Sequence, residues 1–153
     1  MNEFVEILSI PFIKTTKDAF VQQIIYPRIM KEEKTFVVTA NPEIVEYADN
    51  HEEYKKILLS ADYITPDGIG IVLASKWLRN PIEERIPGYD LMHDLFTLAN
   101  QNPLKVYMLG AEESVIEKAV EQALQQNPQM NILPLLIYVL YKCPFFQYIF
   151  YLM

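Results

Sequence analysis

Cysteine, glycine and positive charge are all scarce in this chain of 153 residues. The single cysteine, Cys143, has no second cysteine with which to form an internal disulfide, so a disulfide-stabilised domain is excluded. Thirteen lysines and arginines against twenty acidic residues give a net charge of -7, and no basic stripe is visible. Binding to a phosphate backbone needs clustered cations, so we expect no nucleic-acid partner.

The amino terminus also lacks an export signal. Asn2, Glu3 and Phe4 stand where a secretory signal would carry positive charge followed by an apolar run. We therefore expect a cytoplasmic protein.

What the chain does contain is an alternation of strand and helix patterns around ample apolar residues, 51% of the total, at a length that fits one domain. Hydrophobic periodicity predicts strands and helices in turn. The strands are predicted at 5–12, 34–40, 62–65, 104–110 and from 131, and the helices from Thr16, over 43–61 with a break near Asn50, over 69–78 and 89–99, and from 111 to a point before Pro128. This order predicts an α/β fold with a Rossmann-like, mostly parallel sheet and helices on both faces.

In such sheets ligands bind beyond the carboxyl ends of the strands. The predicted strand ends place three segments there, residues 39–42, 65–70 and 109–112. These segments hold most of the candidate site residues.

Asp67 lies where a predicted strand ends and a helix begins, so its carboxylate could act as a general base. The alternative is that it simply caps the following helix, a position that aspartate favours. Gly68 and Gly70 would let a ligand approach the backbone closely. They do not complete a dinucleotide fingerprint, because Leu73 occupies the place of its third glycine.

Thr39 and Asn41 could hydrogen-bond a sugar hydroxyl, although Asn41 before Pro42 is equally typical of a turn that starts a helix. Arg85 suits bidentate phosphate recognition, but an ion pair with a neighbouring glutamate is the commoner role of a surface arginine. Gly110 could serve a tight turn or expose amides to a phosphate.

No metal site is expected. His51 and His93 have no partner at metal-ligand spacing, which favours structural roles for both. The chain also lacks an Asp-x-Asp pair that could hold a divalent cation on a diphosphate.

The chain contains four ordered blocks, TANPEIV (39–45), ITPDGIGIV (64–72), ERIPGYDLM (84–92) and VYMLGA (106–111). Together these blocks resemble the WecG/TagA/CpsF glycosyltransferase family. The resemblance covers about residues 3–133. Four blocks in order are far more specific than any one of them.

This resemblance implies an inverting transferase that moves an N-acetylaminosugar, typically N-acetylmannosamine from its UDP conjugate, to polyprenyl-diphosphate-linked N-acetylglucosamine for teichoic acid-type polymers. It implies Asp67 as general base and Arg85 as the partner of the departing diphosphate, with no metal or other cofactor. The implied substrate-binding residues are Thr39, Asn41, Gly68, Gly70, Gly88, Asp90 and Gly110. It further implies peripheral contact with the inner face of the cell membrane, and we also consider a homo-oligomer.

After about Leu133 the chain departs from the family pattern. Residues 134–153, almost uncharged apart from Lys142, carry none of the family's later blocks. We therefore divide the chain into a glycosyltransferase domain (1–133), incomplete at its carboxyl end, and a divergent hydrophobic tail (134–153). We interpret the tail as a frameshifted or rearranged gene end rather than a membrane anchor, because Lys142 and Pro144 would sit mid-span.

Two other functions remain open. One is a catalytically inactive nucleotide-binding or assembly module, suggested by the absent later blocks. The other is a small protein tethered to the membrane by residues 132–153.

Overall fold

The structure, a computed structural model, describes residues 3–108, 113–133 and 149–152. These residues form two compact units. The first contains the chain up to Leu91 together with the last strand, and the second begins at Met92.

The first unit opens with a β-hairpin in which β1 (Phe4–Ile7) pairs antiparallel with β2 (Ile10–Ile13). The prediction of one strand over residues 5–12 is therefore wrong. The chain reverses at Leu8 and Ser9, whose φ angles are 50° and 65°. Positive φ at both loop residues is the conformation that matches the twist of a tight hairpin.

A helical segment follows, as predicted from Thr16. It consists of α1 (Lys17–Ala19), a π-helical stretch (Phe20–Ile25) and α2 (Tyr26–Met30). The Thr16 hydroxyl accepts a hydrogen bond from the Ala19 N–H at 3.2 Å, which confirms the predicted cap. The π turns lead into Pro27, which lacks the N–H that a regular α-helix would use there.

The centre of this unit is a parallel strand pair joined by two helices. Its elements are β3 (Thr35–Ala40), α3 (Pro42–Asn50), α4 (Glu52–Leu59) and β4 (Tyr63–Pro66). β3 and β4 pair in parallel, with Thr39 opposite Thr65. The helix break falls at His51, next to the predicted Asn50.

Two further elements complete the first unit. Helix α5 (Ile69–Trp77) follows β4, and β7 (Ile149–Leu152) lies on the other edge of β3. β7 runs antiparallel to β3, with Leu152 opposite Thr35. Apolar side chains from the hairpin, β3, α3, β4 and α5 fill the core, among them Phe12, Val37, Ile44, Ile64 and Ile71.

The remaining elements are α6 (Gly88–Gln101), β5 (Lys105–Tyr107), α7 (Glu113–Gln126) and β6 (Asn131–Leu133). β5 and β6 pair in parallel. The core of the second unit consists of Phe96, Ala99, Ala123 and Met130. The amphipathic pattern predicted for α7 supplies Ala123 to this core.

The α/β fold class with parallel strand pairs is confirmed, whereas the two antiparallel pairings were not predicted. Gly110 and residues 134–148 lie outside the described residues. The domain boundary at 133 stays a prediction. No helix in the described ranges is long and apolar enough to cross a membrane.

Candidate functional site

The carboxyl ends of β3 and β4 bring two candidate segments together. Their parallel pairing continues to Ala40 opposite Pro66, and the Asp67 N–H then donates to the Ala40 carbonyl at 3.0 Å. Thr39 and its neighbour across the pair, Thr65, are both buried. Residues 39–41 and 65–67 therefore lie side by side, as the strand-end rule predicts.

Asn41 caps helix α3. Its Oδ1 accepts a hydrogen bond from the Ile44 N–H at 2.9 Å, and Pro42 occupies the first turn. The helix-starting role that the sequence left open is therefore confirmed. The cap uses one lone pair of Oδ1, so the Nδ2 donors and the second lone pair are what this side chain can offer a ligand.

Gly68 and Gly70 allow the start of α5 to approach the start of α3. Gly68 has a φ of 123°, and a Cβ there would lie 3.4 Å from Pro42 Cδ. A Cβ on Gly70 would lie only 2.7 Å from Pro42 Cγ. These glycines thus allow two helix starts within the protein to pack closely. The sequence predicts a close approach of a ligand at these positions and not this helix contact.

Asp67 does not cap α5, so that alternative is wrong. The N-cap position of α5 is Gly68, which provides no side-chain cap. Instead, Asp67 Oδ2 accepts a hydrogen bond from the Gly88 N–H at 3.1 Å, at the first residue of α6. The half-buried carboxylate is thereby held between the end of β4 and the start of another helix.

Residues 86–88 run alongside the end of β4. The Ile86 N–H donates to the Pro66 carbonyl at 2.7 Å, and the Thr65 hydroxyl donates to the Ile86 carbonyl at 3.3 Å. Arg85 immediately precedes Ile86, and Asp67 immediately follows Pro66. The two predicted catalytic residues therefore flank one backbone hydrogen bond, although they are separated by 18 positions in sequence.

The loop that carries Arg85 is anchored at two positions before this residue. The Ile82 N–H donates to the Ser75 hydroxyl at 2.9 Å, and the Glu84 carboxylate accepts from the Lys17 N–H at the start of α1. Arg85 is exposed next to the fully buried Ile86. Among residues that the structure describes, Arg85 has no ion-pair partner, and the predicted pairing with a neighbouring glutamate is not formed there.

The other candidates fall around this centre or outside it. Gly88 is buried at the start of α6, and Asp90 is exposed in the first turn of that helix. His51 stacks on the Tyr47 ring at 3.8 Å and its Nδ1 lies 2.8 Å from the Tyr47 carbonyl oxygen, in keeping with a structural role.

Three helices start at this site, which the sequence reasoning did not foresee. The start of α3 touches that of α5 through Pro42 and Gly70, and α6 begins at the Gly88 N–H bound by Asp67. Helix starts carry partial positive charge from their free N–H groups. The arrangement therefore favours a negatively charged ligand beside a carboxylate that can accept a proton.

Comparison with known proteins points to one family. Residues 5–140 match the model of the "Glycosyl transferase WecG/TagA/CpsF family". Proteins of Staphylococcus aureus strains NCTC 8325 / PS 47, COL and MRSA252, each named N-acetylglucosaminyldiphosphoundecaprenol N-acetyl-beta-D-mannosaminyltransferase, are 42% identical to the chain over 124 residues. The match covers 80% of this chain and 48% of each relative, so the chain spans about half of their length.

Proposed function

Because the chain belongs to the WecG/TagA/CpsF glycosyltransferase family, we propose that it transfers N-acetylmannosamine from a UDP conjugate to polyprenyl-diphosphate-linked N-acetylglucosamine. The names of the relatives support this donor sugar and acceptor. The observation that carries the proposal is the placement of Asp67 and Arg85 on either side of one backbone hydrogen bond, at the ends of parallel strands. The product enters a cell-surface polymer of the teichoic acid type.

Asp67 is the proposed general base. The Gly88 N–H fixes Oδ2, so we assign Oδ1 to take the proton from the attacking acceptor hydroxyl. The acceptor oxygen forms a bond to the anomeric carbon as the bond from that carbon to the UDP oxygen breaks. Attack from the side opposite the diphosphate inverts the anomeric configuration.

Arg85 and the helix starts are the proposed stabilisers of the leaving diphosphate. A guanidinium gives paired hydrogen bonds to phosphate oxygens, and α5, which begins after the end of β4, has no side-chain cap on its first N–H groups. Stabilising the charge that develops as UDP departs lowers the barrier without calling for a metal. We therefore propose a reaction with no cofactor beyond the donor substrate.

The lipid-linked acceptor places the reaction at a membrane. We propose that the protein works at the inner face of the cell membrane as a peripheral protein, since UDP-sugars are cytoplasmic substrates. Self-association into a homo-oligomer remains part of the proposal.

A second function is favoured by one observation, that the chain spans about half the length of its relatives. If residues needed for turnover lie in the unmatched half, this chain would bind UDP without transferring sugar. Calorimetric titration with UDP and UDP-N-acetylmannosamine separates the two, because binding without transfer supports the inactive module.

The test of the main proposal is transfer to a water-soluble acceptor analogue, comparing the chain with Asp67→Asn. Loss of a general base typically costs 10²–10⁴-fold in rate, so we expect a decrease of about that size with nearly unchanged UDP binding. Asp18→Asn is the matched control, because Asp18 is exposed in α1, outside the site. Equal rates for the chain and Asp67→Asn would remove Asp67 from the base role.

A further inference from the structure

Helix α5 exposes an apolar face that begins at the candidate site. Ile69, Leu73 and Trp77 repeat every four residues and so share one side of the helix, and Leu78 follows at its end. Their exposed fractions are 64%, 47%, 87% and 54%. We call these four residues the α5 face. The opposite side of α5 is buried through Ile71, Val72 and Ser75.

The charge along α5 itself differs from that of the whole chain. Although the net charge is -7, the stretch from Ile69 to Arg79 contains two charged residues, both basic, Lys76 and Arg79. Both are exposed. A third cation lies close by, because the Lys14 ammonium donates to the Asn80 side-chain oxygen next to Arg79. Tryptophan and leucine rimmed by basic residues form the composition that suits the headgroup region of an anionic bilayer.

The position of the face relative to Asp67 adds an independent argument. Ile69 lies two residues after Asp67, and Trp77 lies about 12 Å further along the helix at 1.5 Å per residue. The acceptor that we propose above is anchored in the membrane, so its diphosphate lies at headgroup depth. A surface that binds the bilayer this close to Asp67 would present the site to that diphosphate.

We propose that the α5 face inserts Trp77 and Leu78 into the headgroup layer of a membrane that contains anionic lipids. In part this rests on the proposed function, which supplies the membrane-linked acceptor. A second copy of the chain fits less well. In a symmetric dimer this face would meet its own copy, and residues 69–79 contain no acidic side chain that could pair with Lys76 and Arg79.

Trp77 is the sole tryptophan of the chain, so its fluorescence reports on this face alone. The full chain is titrated with vesicles of phosphatidylcholine, with and without phosphatidylglycerol, and with brominated phosphatidylcholine as a quencher. We expect a blue shift of the emission and quenching by bromine, both strongest with phosphatidylglycerol and reduced by salt. Flotation with the vesicles but no shift or quenching of Trp77 would overturn the proposal, because another part of the chain would then bind the lipid.

The charge contribution is tested with Lys76→Gln/Arg79→Gln. Each basic residue near an anionic surface strengthens binding about fivefold, so the double variant should bind about thirtyfold more weakly. Lys31→Gln/Lys56→Gln removes the same charge from other exposed positions and should bind like the unaltered chain. Equal weakening by both pairs would show that net charge, and not the α5 face, governs binding.

The two proposals fail in different experiments. Transfer to the soluble acceptor without a Trp77 response to vesicles would end this inference and leave the enzyme assignment intact. A full Trp77 response in a chain that neither binds UDP nor transfers sugar would end the enzyme assignment and leave the membrane surface in place.

Discussion

The lack of a side chain at Gly70 allows the starts of α3 and α5 to lie close together. The ring of Pro42 occupies the space where any other residue at position 70 would place its Cβ. The contact brings the start of α5, whose N–H groups we assign to the diphosphate, close to the start of α3.

We therefore predict that Gly70→Ala destabilises the protein although alanine is the better helix former. A Cβ at 2.7 Å from Pro42 Cγ forces backbone movement, which typically costs about 1–3 kcal/mol and exceeds the helix gain of about 1 kcal/mol. Urea unfolding measures the change in the free energy of unfolding. Pro42→Ala removes the opposing ring, so in the double variant part of the loss should be recovered, whereas strictly additive losses would contradict the contact.

At the same scale, the ordered blocks make Asp67 and Arg85 the candidate catalytic residues, and the rule for strand ends also selects Asp67. Neither predicts the contacts that these residues make. The hydrogen bond from Gly88 to Asp67 joins residues 21 positions apart, and no local pattern encodes it. The sequence alone therefore suggests that Asp67 caps the adjacent helix α5. In the structure its carboxylate accepts a hydrogen bond from the first residue of α6 instead.

At the scale of elements, the hairpin explains the clearest failure of periodicity. Residues 5–12 contain no glycine or asparagine, the residues that usually mark a tight turn, and an apolar residue, Leu8, occupies the first turn position. A segment that is mostly apolar and has no turn residues is predicted as one strand. Helices were easier to predict, because α3, α4 and α7 each span two or more turns of an amphipathic pattern.

The same hairpin yields a prediction of increased stability. Leu8 and Ser9 adopt positive φ, which costs free energy for side chains of their type. Leu8→Asn/Ser9→Gly supplies the residues that this turn prefers and should raise the free energy of unfolding by about 1 kcal/mol, measured by urea unfolding.

The chain provides its own control for that substitution. Leu59 and Ser60 form the same dipeptide at the end of α4, where Ser60 has a φ of -81°. Leu59→Asn/Ser60→Gly changes composition identically without relieving a strained turn, so it should bring no gain. A comparable gain at both positions would mean that the hairpin turn is not the cause.

At the scale of the whole molecule, the pairing of β7 with β3 was beyond prediction. It joins Thr35 to Leu152 across most of the chain, within a terminal segment whose sequence shows neither strand alternation nor helical period. The prediction of a tail separate from the domain at residue 133 stays open, but β7 gives it a physical test. If β7 stabilises the first unit, the folded domain includes residues beyond 133.

We predict that ending the chain after Tyr148 destabilises the first unit. Removing β7 leaves the second edge of β3 without its hydrogen-bonding partner over Thr35–Val38. With each lost backbone bond worth about 1 kcal/mol net, the cost should be about 2 kcal/mol or more, seen as a lower urea midpoint and faster hydrogen exchange in β3. A chain ending after Leu152 keeps β7 and is the control. Unchanged exchange in β3 after the longer deletion would show that β7 adds nothing to the unit, and the boundary at 133 would then be the better description of the molecule.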